Sequence, residues 1–352
     1  MKTKVIKINL KNPEIEKVKE ASYVLKEGSL VVIPTETVYG IAANSLNEKA
    51  VLRLYEIKKR PKDKPFSLHI ALKEDVEKYA IDIAPFAWRL IDKFWPGPLT
   101  LVLKAKENKK VGIRLPNHKI ALSIINEAGI PVVCPSANLS GNPAPQTVDD
   151  VLKDLDGLVD LIVDSGPTPL GKESTVVDVT ELPIKILREG AILSDEIKEI
   201  ANRKTILFVC TGNSCRSVMA KGLLEKKLKE RNRFDVEVIS AGIIMISGLG
   251  VSEQTKELLK EEGIDVSKHI PQKVDKEMIR KSDLILVMEK LHEIEVLKLF
   301  PLAKNRVFLL KEFAKINDSQ LDITDPIGKP LDFYQQTFLV IKEAIERIIE
   351  II

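Results

Sequence analysis

Cysteine is scarce in this sequence: the 352 residues include only Cys134, Cys210 and Cys215. Three cysteines are too few for a disulfide scaffold, and their spacing is not that of a zinc finger. No apolar run reaches the length of a transmembrane helix, and residues 1–4, Met-Lys-Thr-Lys, lack the apolar core of a secretion signal. We therefore expect a protein of the reducing cytoplasm that does not associate with membranes.

The composition is that of an ordinary globular protein, with 44% hydrophobic residues, 30% charged residues and a formal net charge of +3. The length favours two domains over one. Charge is uneven, because residues 1–150 contain 24 Lys and Arg against 17 Asp and Glu. A basic segment suits a polyphosphate or nucleic-acid ligand, although a solvated lysine surface has the same composition.

The stretch with the most specific chemistry is residues 210–217, Cys-Thr-Gly-Asn-Ser-Cys-Arg-Ser. It lies between an apolar run over 205–209, which predicts a buried parallel strand, and a predicted helix from Val218 to Glu230. Loop amides and a helix N-terminus form an anion site and favour the thiolate of Cys210. Arg216 can hold two oxygens of a phosphate, and Ser217 can hydrogen-bond the thiolate. The pattern predicts a nucleophile that attacks phosphorus; the alternative is a buried cysteine in a glycine-containing turn.

This segment resembles the phosphate loop of the low-molecular-weight protein phosphatases, and the resemblance covers about residues 203–352. It implies a small doubly wound α/β domain with four parallel strands, and a phosphoprotein substrate. It also implies catalytic roles for Cys210 and Arg216, and a general acid at Asp325 in the Asp325-Pro326 loop. The residues expected to hold the phosphate are Gly212, Asn213, Ser214, Cys215 and Ser217.

Two positions bear on the phosphatase substrate. Ser214 stands where tyrosine-specific members usually have an aliphatic residue, and Ile327 stands where an aromatic residue often stacks on phosphotyrosine. These two residues favour phosphoarginine over phosphotyrosine. The sequence does not exclude either substrate. No cysteine follows Cys215, which argues against an arsenate reductase, because that class relays oxidation through further cysteines.

In the first half, predicted strands alternate with predicted helices, and several strands end in polar loops. These loops include residues 34–40, the cationic segment 58–61, residues 136–138, 174–175 and 188–190. Their order resembles that of the threonylcarbamoyl-AMP synthases, the YrdC-like family, over about residues 8–200. The resemblance implies a twisted α/β domain, so we expect domains at 1–202 and 203–352.

That family joins L-threonine, bicarbonate and ATP into threonylcarbamoyl-AMP and releases pyrophosphate. The product supplies the transferase machinery that modifies adenosine 37 of tRNA. The resemblance implies that Mg²⁺ accompanies ATP, and no protein side chain is assigned to the metal. The resemblance implies that Lys58 and Arg60 are the catalytic cations, and that they bind ATP together with Lys62, Asn138 and Arg188. The residues expected to bind threonine are Thr35, His69, Arg114, Ser136 and Ser174.

The chain departs from the longer synthases, which carry a linker and a smaller domain of their own where the phosphatase-like segment stands here. Two alternatives to a bifunctional enzyme are an RNA-binding module built on the basic loop 58–64, and a regulatory fusion with one active half. The ordered polar set in the first half favours catalysis over simple RNA binding. Intact Cys210, Arg216 and Asp325 argue against an inactive phosphatase.

Overall fold

The computed structural model describes residues 3–245, 248 and 250–352. The chain divides into two compact units, Met1–Ala201 and Asn202–Ile352. Both units are α/β, as predicted, and no described helix is long and apolar enough to cross a membrane.

Unit 1 is built on one mixed sheet of ten strands in the order β1-β8-β2-β3-β7-β4-β6-β5-β9-β10. The strands are β1 (Lys4–Lys7), β2 (Val31–Ile33), β3 (Gly40–Asn44), β4 (Leu68–His69), β5 (Leu99–Lys104), β6 (Lys110–Arg114), β7 (Val132–Val133), β8 (Leu161–Asp164), β9 (Thr175–Asp178) and β10 (Lys185–Arg188). The helices are α1 (Ile15–Lys26), α2 (Glu48–Lys58), α3 (Val76–Tyr79), α4 (Pro85–Phe94), α5 (Lys119–Ala128), α6 (Val148–Leu155) and α7 (Ser194–Asn202).

Successive side chains along each strand point to opposite faces of the sheet, so unit 1 has apolar core on both faces. In β2, Val31 and Ile33 pack in one apolar cluster while Val32 packs in another, because successive side chains point to opposite faces. The strand register also places polar loops together. Ile33 pairs with Gly40, and Gly40 bridges to Ser136. The loops after β2 and β7 therefore meet where these neighbouring strands end.

Unit 2 has four parallel strands in the order β12-β11-β13-β14, which confirms the predicted sheet. The strands are β11 (Lys204–Cys210), β12 (Val236–Gly242), β13 (Leu284–Val287) and β14 (Val307–Leu309). The helices are α8 (Arg216–Glu230), α9 (Glu253–Glu261), α10 (Lys276–Lys281), α11 (Lys290–Leu299), α12 (Leu310–Phe313) and α13 (Leu331–Ile348).

Helices cover both faces of this small sheet. Phe208 of β11 packs in the larger apolar cluster with α8 and α13, whereas Val209 packs in the cluster on the opposite face. Helix α8 begins at Arg216, two residues before the predicted start at Val218. Arg216 therefore belongs to the first turn of the helix, where backbone N–H groups are free to face an anion.

Two candidate functional sites

Unit 1 contains a cavity of about 650 Å³, in the size range of small-molecule sites. Most of the predicted site residues line it, and they come from different loops and strands. The lining includes Thr35, Lys58, Arg60, His69, Arg114, Ser136, Asn138, Ser174 and Arg188. Lys62 is exposed and does not line this cavity, so the structure does not place it with the other predicted ATP-binding residues.

Lys58, the last residue of α2, is buried against the loop that follows β7. Its Nζ donates hydrogen bonds to the carbonyl oxygens of Ser136 (2.8 Å) and Asn138 (2.6 Å) and to Oδ1 of Asn138 (2.8 Å). Burial lowers the pKa of Lys58 to about 8. Lys58 therefore fixes the loop that carries Ser136 and Asn138, and presents its ammonium group at the cavity wall.

Arg60 lies in the exposed loop after α2. Its Nε donates to the Lys64 carbonyl (2.8 Å) and its Nη2 to the Pro65 carbonyl (3.2 Å). The guanidinium also stacks over the Phe66 ring, 5.1 Å from the ring centroid. These contacts hold one cation at the mouth of the cavity.

Arg114 is paired with a buried carboxylate that sequence reasoning missed. Glu36 Oε1 lies 2.8 Å from Arg114 Nη2, and the two side chains are only 8% and 6% exposed. The contact with Glu36 is an ion pair without hydrogen-bond geometry, whereas Nη2 donates to Thr37 Oγ1 (2.9 Å) and Nε donates to the Gly97 carbonyl (3.3 Å). Within the described part of the chain no hydrogen bond uses Nη1, so Nη1 is the nitrogen left for a ligand carboxylate.

Thr35 lines the cavity, but its hydroxyl already makes hydrogen bonds within its own loop. It donates to the Val38 carbonyl (2.7 Å) and accepts from the backbone N–H groups of Thr37 (3.2 Å) and Val38 (3.3 Å). Thr35 therefore shapes the loop. The predicted hydrogen bond from Thr35 to threonine would require one of these bonds to break.

His69 ends β4 beside Arg114 and is 4% exposed. Burial, together with the Arg114 charge, lowers the pKa of His69 to about 3, so the imidazole is neutral at pH 7. Its Nδ1 is buried and has no hydrogen-bond partner among the described residues. A neutral ring next to Arg114 can donate or accept one hydrogen bond at the cavity wall.

Arg188 and Ser174 occupy a further wall of the same cavity. Arg188 Nη1 pairs with Glu173 (2.7 Å), while Nη2 donates to the carbonyl of Ser174 (2.9 Å) and to its Oγ (3.2 Å). Thr100, which was not predicted, lies 2.9 Å from the Ser174 hydroxyl. Glu173 and Ser174 therefore hold the Arg188 guanidinium in place, and its side chain remains 43% exposed.

The site of unit 2 lies where β11 ends and α8 begins. Cys210 is the last residue of the strand, and its Sγ lies 2.9 Å from Ser217 Oγ, which confirms the predicted contact. Cys215 occupies the N-cap position, where its Sγ contacts Ser252 Oγ (3.3 Å) and Ser214 Oγ (3.6 Å).

Asn213 holds the loop in shape from a left-handed conformation, with φ of 53°. Its Nδ2 donates to Ser217 Oγ (3.0 Å) and Ser240 Oγ (2.9 Å), and its Oδ1 accepts from the Gln272 backbone N–H (3.0 Å). His269 Nε2 lies 3.2 Å from the same Oδ1 and donates to it, because an amide oxygen only accepts. Ser240, His269 and Gln272 were missed as site residues because they are remote in sequence.

Gly212 and its neighbours leave no room at Gly242, the last residue of β12. A Cβ at Gly242 would lie 2.7 Å from the Thr211 carbonyl oxygen and 2.9 Å from the Asn213 nitrogen. The loop 210–217 therefore packs directly on this glycine backbone, which explains why no larger residue fits at Gly242.

Arg216 is 1% exposed and is held by two carboxylates. Nη1 bonds to Glu289 and to the Ile323 carbonyl (2.7 Å), and Nη2 bonds to Asp325 and to Thr211 Oγ1 (2.9 Å). Glu289 was not predicted; it lies two residues after β13 ends at Val287, and only the fold brings it to Arg216. The predicted pair Arg216 and Asp325 is brought together with Cys210 in one site.

A cationic cavity lies in one α/β unit, and a cysteine-containing loop between a strand and a helix lies in the other. The family model Sua5_yciO_yrdC, described as telomere recombination, matches residues 23–190. The model for low molecular weight phosphotyrosine protein phosphatase matches residues 205–352. The chain belongs to the Sua5/YrdC family through its first unit and to the low-molecular-weight phosphatase family through its second.

The individual relatives include a threonylcarbamoyl-AMP synthase and a protein-arginine-phosphatase. The threonylcarbamoyl-AMP synthase of Pyrococcus abyssi is 41% identical over 216 residues, which cover 59% of this chain and 64% of that protein. A crystal structure of P. abyssi Sua5 complexed with L-threonine has a TM-score of 0.54 at 26% identity and covers 97% of this chain and 98% of that one. A protein-arginine-phosphatase of Geobacillus stearothermophilus is 39% identical over 145 residues, 41% of this chain and 93% of that protein.

The match to the synthases is partial in length. The chain spans 64% of the P. abyssi synthase and 55% of the synthase of Bacillus subtilis.

Proposed function

We propose that unit 1 synthesises threonylcarbamoyl-AMP from L-threonine, bicarbonate and ATP and releases pyrophosphate. The observation that carries this proposal is the cavity of about 650 Å³, which gathers Lys58, Arg60, Arg114 and Arg188 around hydroxyl and amide groups. A cavity of this size and charge suits a nucleotide together with an amino acid. The synthase relatives support threonylcarbamoyl-AMP as the product, and the structure of P. abyssi Sua5 complexed with L-threonine supports threonine as a substrate.

In the proposed reaction the amino group of threonine forms a C–N bond to bicarbonate with loss of water, and an oxygen of the resulting carbamate then attacks the α-phosphorus of ATP. The bond from that phosphorus to the β-phosphate oxygen breaks, and pyrophosphate leaves with the added charge. Lys58 and Arg60 stabilise the charge that builds on the phosphates, and Arg188 contacts the nucleotide. Arg114 receives the threonine carboxylate on Nη1, because its other nitrogens are bonded to the protein.

Mg²⁺ fits this scheme as a companion of ATP. The described residues contain no group of three His, Cys, Asp or Glu side chains that could hold a metal ion. In this proposal Mg²⁺ would bind with the phosphates of ATP and would offset their charge. The product would pass to the threonylcarbamoyl transferase machinery that modifies tRNA.

The test is pyrophosphate release by the full chain with Mg²⁺ and ATP, with threonine and bicarbonate present or individually omitted. Release that requires all the substrates supports the synthase. Release that does not depend on threonine, or no release, contradicts it.

For unit 2 we propose a cysteine-dependent protein phosphatase of the phosphoarginine class. The observation that carries it is the Cys210 thiol, 2.9 Å from Ser217 Oγ, in one loop with the buried Arg216. The Cys210 thiolate attacks phosphorus and forms an S–P bond while the bond to the leaving group breaks. Asp325 gives its proton to the leaving group, then takes a proton from the water that releases inorganic phosphate.

The chemistry of two residues, Ser214 and Ile327, favours an arginine leaving group. Ser214 supplies a hydroxyl instead of an aliphatic side chain, and Ile327, 45% exposed, offers no ring to stack on phosphotyrosine. The similarity to a protein-arginine-phosphatase supports this substrate class. The test compares kcat/KM on phosphoarginine and phosphotyrosine for wild type and Ser214→Ile. A wild-type preference for phosphotyrosine, or an unchanged preference in the variant, contradicts the arginine assignment.

A further inference from the structure

The direction of one hydrogen bond fixes the state of His292. The backbone N–H of Glu289 points at His292 Nδ1 at 3.0 Å, and a backbone N–H can only donate. Nδ1 must therefore accept, so the single ring hydrogen of neutral His292 is on Nε2. His292 is fully buried, and burial together with the Arg216 charge lowers its pKa to about 4, consistent with a neutral ring at pH 7.

This tautomer determines what the Thr211 hydroxyl can do. His292 Nε2 lies 3.1 Å from Thr211 Oγ1 and must donate to it. Arg216 Nη2 donates to the same oxygen at 2.9 Å. A hydroxyl has two acceptor lone pairs and one hydrogen, so both lone pairs are occupied and the hydrogen remains. In the described part of the protein, Thr211 Oγ1 donates no hydrogen bond.

Thr211 is placed where a phosphoryl group would arrive. It directly follows the nucleophile Cys210, is partly exposed, and shares Nη2 of Arg216 with the general acid Asp325. Its hydroxyl is thus bonded to the cation that binds the phosphate. The negative charge of the transition state develops on the phosphoryl oxygens, where an oriented donor is most effective.

We propose that Thr211 is a further catalytic residue that donates a hydrogen bond to a phosphoryl oxygen, and that His292 is the positioning residue that fixes the direction of this bond. The inference rests on the proposed phosphatase function of unit 2. Because its lone pairs are occupied, Thr211 cannot accept from a guanidinium leaving group. Its contribution is therefore to phosphoryl transfer in general and not to the choice of leaving group.

The first test uses p-nitrophenyl phosphate and the full chain. Thr211→Val keeps the shape of the side chain without the hydroxyl, and we expect kcat and kcat/KM to fall about 10- to 100-fold. Thr211→Ser keeps the donor and should remain within about threefold of wild type. Thr324→Val, which removes an exposed hydroxyl of the neighbouring loop, is the control and should be unchanged. A Thr211→Val enzyme as active as wild type overturns the proposal.

The second test addresses His292 through a double-mutant cycle. His292→Leu removes the donor to Thr211 and should lower kcat, whereas His292→Gln keeps an N–H group and should restore much of it. In the Thr211→Val background His292→Leu should cost nothing further. A full additional loss in that background shows that His292 does not act through Thr211 and overturns the positioning role.

These outcomes are separable from failure of the proposed phosphatase itself. A wild-type chain that does not hydrolyse p-nitrophenyl phosphate, or a Cys210→Ser variant that does, contradicts the phosphatase function. An active wild type that requires Cys210, with Thr211→Val unimpaired, contradicts only the role of Thr211.

Discussion

Asp325 forms a salt bridge with Arg216, although the proposed mechanism needs the carboxyl at the leaving group and the guanidinium at the phosphate. The four N–H positions on the terminal nitrogens of Arg216 are all engaged, whereas Nε is buried without a partner within the described chain. A phosphate that binds Nε and Nη2 must therefore compete with the present partners of Nη2, one of which is Asp325. Asp325 is 30% exposed, so we expect substrate binding to displace its carboxylate from Arg216 and to make it available as the acid.

Asp325→Asn tests this competition. We expect kcat on phosphoarginine to fall about 10²- to 10⁴-fold, because the leaving group loses its proton donor. Inorganic phosphate should nevertheless inhibit at a lower concentration than in wild type, since an amide competes less well than a carboxylate for Arg216. Inhibition that weakens in the variant would mean that Asp325 assists phosphate binding instead of opposing it.

Replacing Lys58 and replacing Arg60 should have different effects on the stability of unit 1, although both residues serve the proposed synthase. Either substitution by Ala should lower the rate of pyrophosphate release by about 10²-fold or more. Lys58→Ala should also lower the midpoint of urea unfolding, because it removes buried bonds to Ser136 and Asn138.

Arg60→Ala should leave that midpoint almost unchanged, since its contacts are at the surface. Lys49→Ala, an exposed change on the same helix, is the control for both measurements. Equal midpoints for Lys58→Ala and Lys49→Ala would contradict the buried role of Lys58.

His69 should make the stability of unit 1 depend on pH. Its pKa is lowered from 6.5 to about 3, so the unfolded chain takes up the proton first as the pH falls. Its contribution is complete above pH 6.5 and is lost progressively toward pH 3. Between about pH 7.5 and 4.5 the loss is about 3 kcal/mol, and a His69→Gln variant should lose correspondingly less.

Both tryptophans, Trp88 and Trp95, belong to unit 1, so their fluorescence during urea unfolding reports this unit. His118, whose pKa is lowered to about 4 by burial, acts in the same direction and is present in both proteins. Identical pH dependence of wild type and His69→Gln would contradict a neutral buried His69.

Cys215 should protect Cys210 from irreversible oxidation. Both thiols lie in one tight loop, so a sulfenic acid on Cys210 can condense with Cys215 to a disulfide. After peroxide treatment and thiol reduction, wild type and Cys134→Ala should recover phosphatase activity, and Cys215→Ala should not. Full recovery of Cys215→Ala would remove this role and leave Cys215 as a small buried N-cap residue.

Contacts between residues that are close in sequence could be predicted from local patterns, whereas contacts between residues that are far apart in sequence could not. The loop 210–217 was found because its strand, anion-binding turn and helix are contiguous, and the contact of Cys210 with Ser217 spans seven residues. The parallel sheet of unit 2 followed from short apolar strands separated by helices. Glu36 and Glu289 were missed because a lone carboxylate in a loop has no signal until its arginine is known.

The sequence by itself determined the two domains, their fold classes and the residue types that carry the chemistry, because these depend on local patterns and short motifs. Only the tertiary structure decided which atoms are still available. In the folded chain the Thr35 hydroxyl is hydrogen-bonded within its own loop, and no hydrogen bond among the described residues uses Nη1 of Arg114. Lys62 lies outside the cavity, and the hydrogen bond from His292 leaves Thr211 as a donor. Burial is the physical reason: once water is excluded, each polar group must find a partner, and the remaining donors and acceptors define the site.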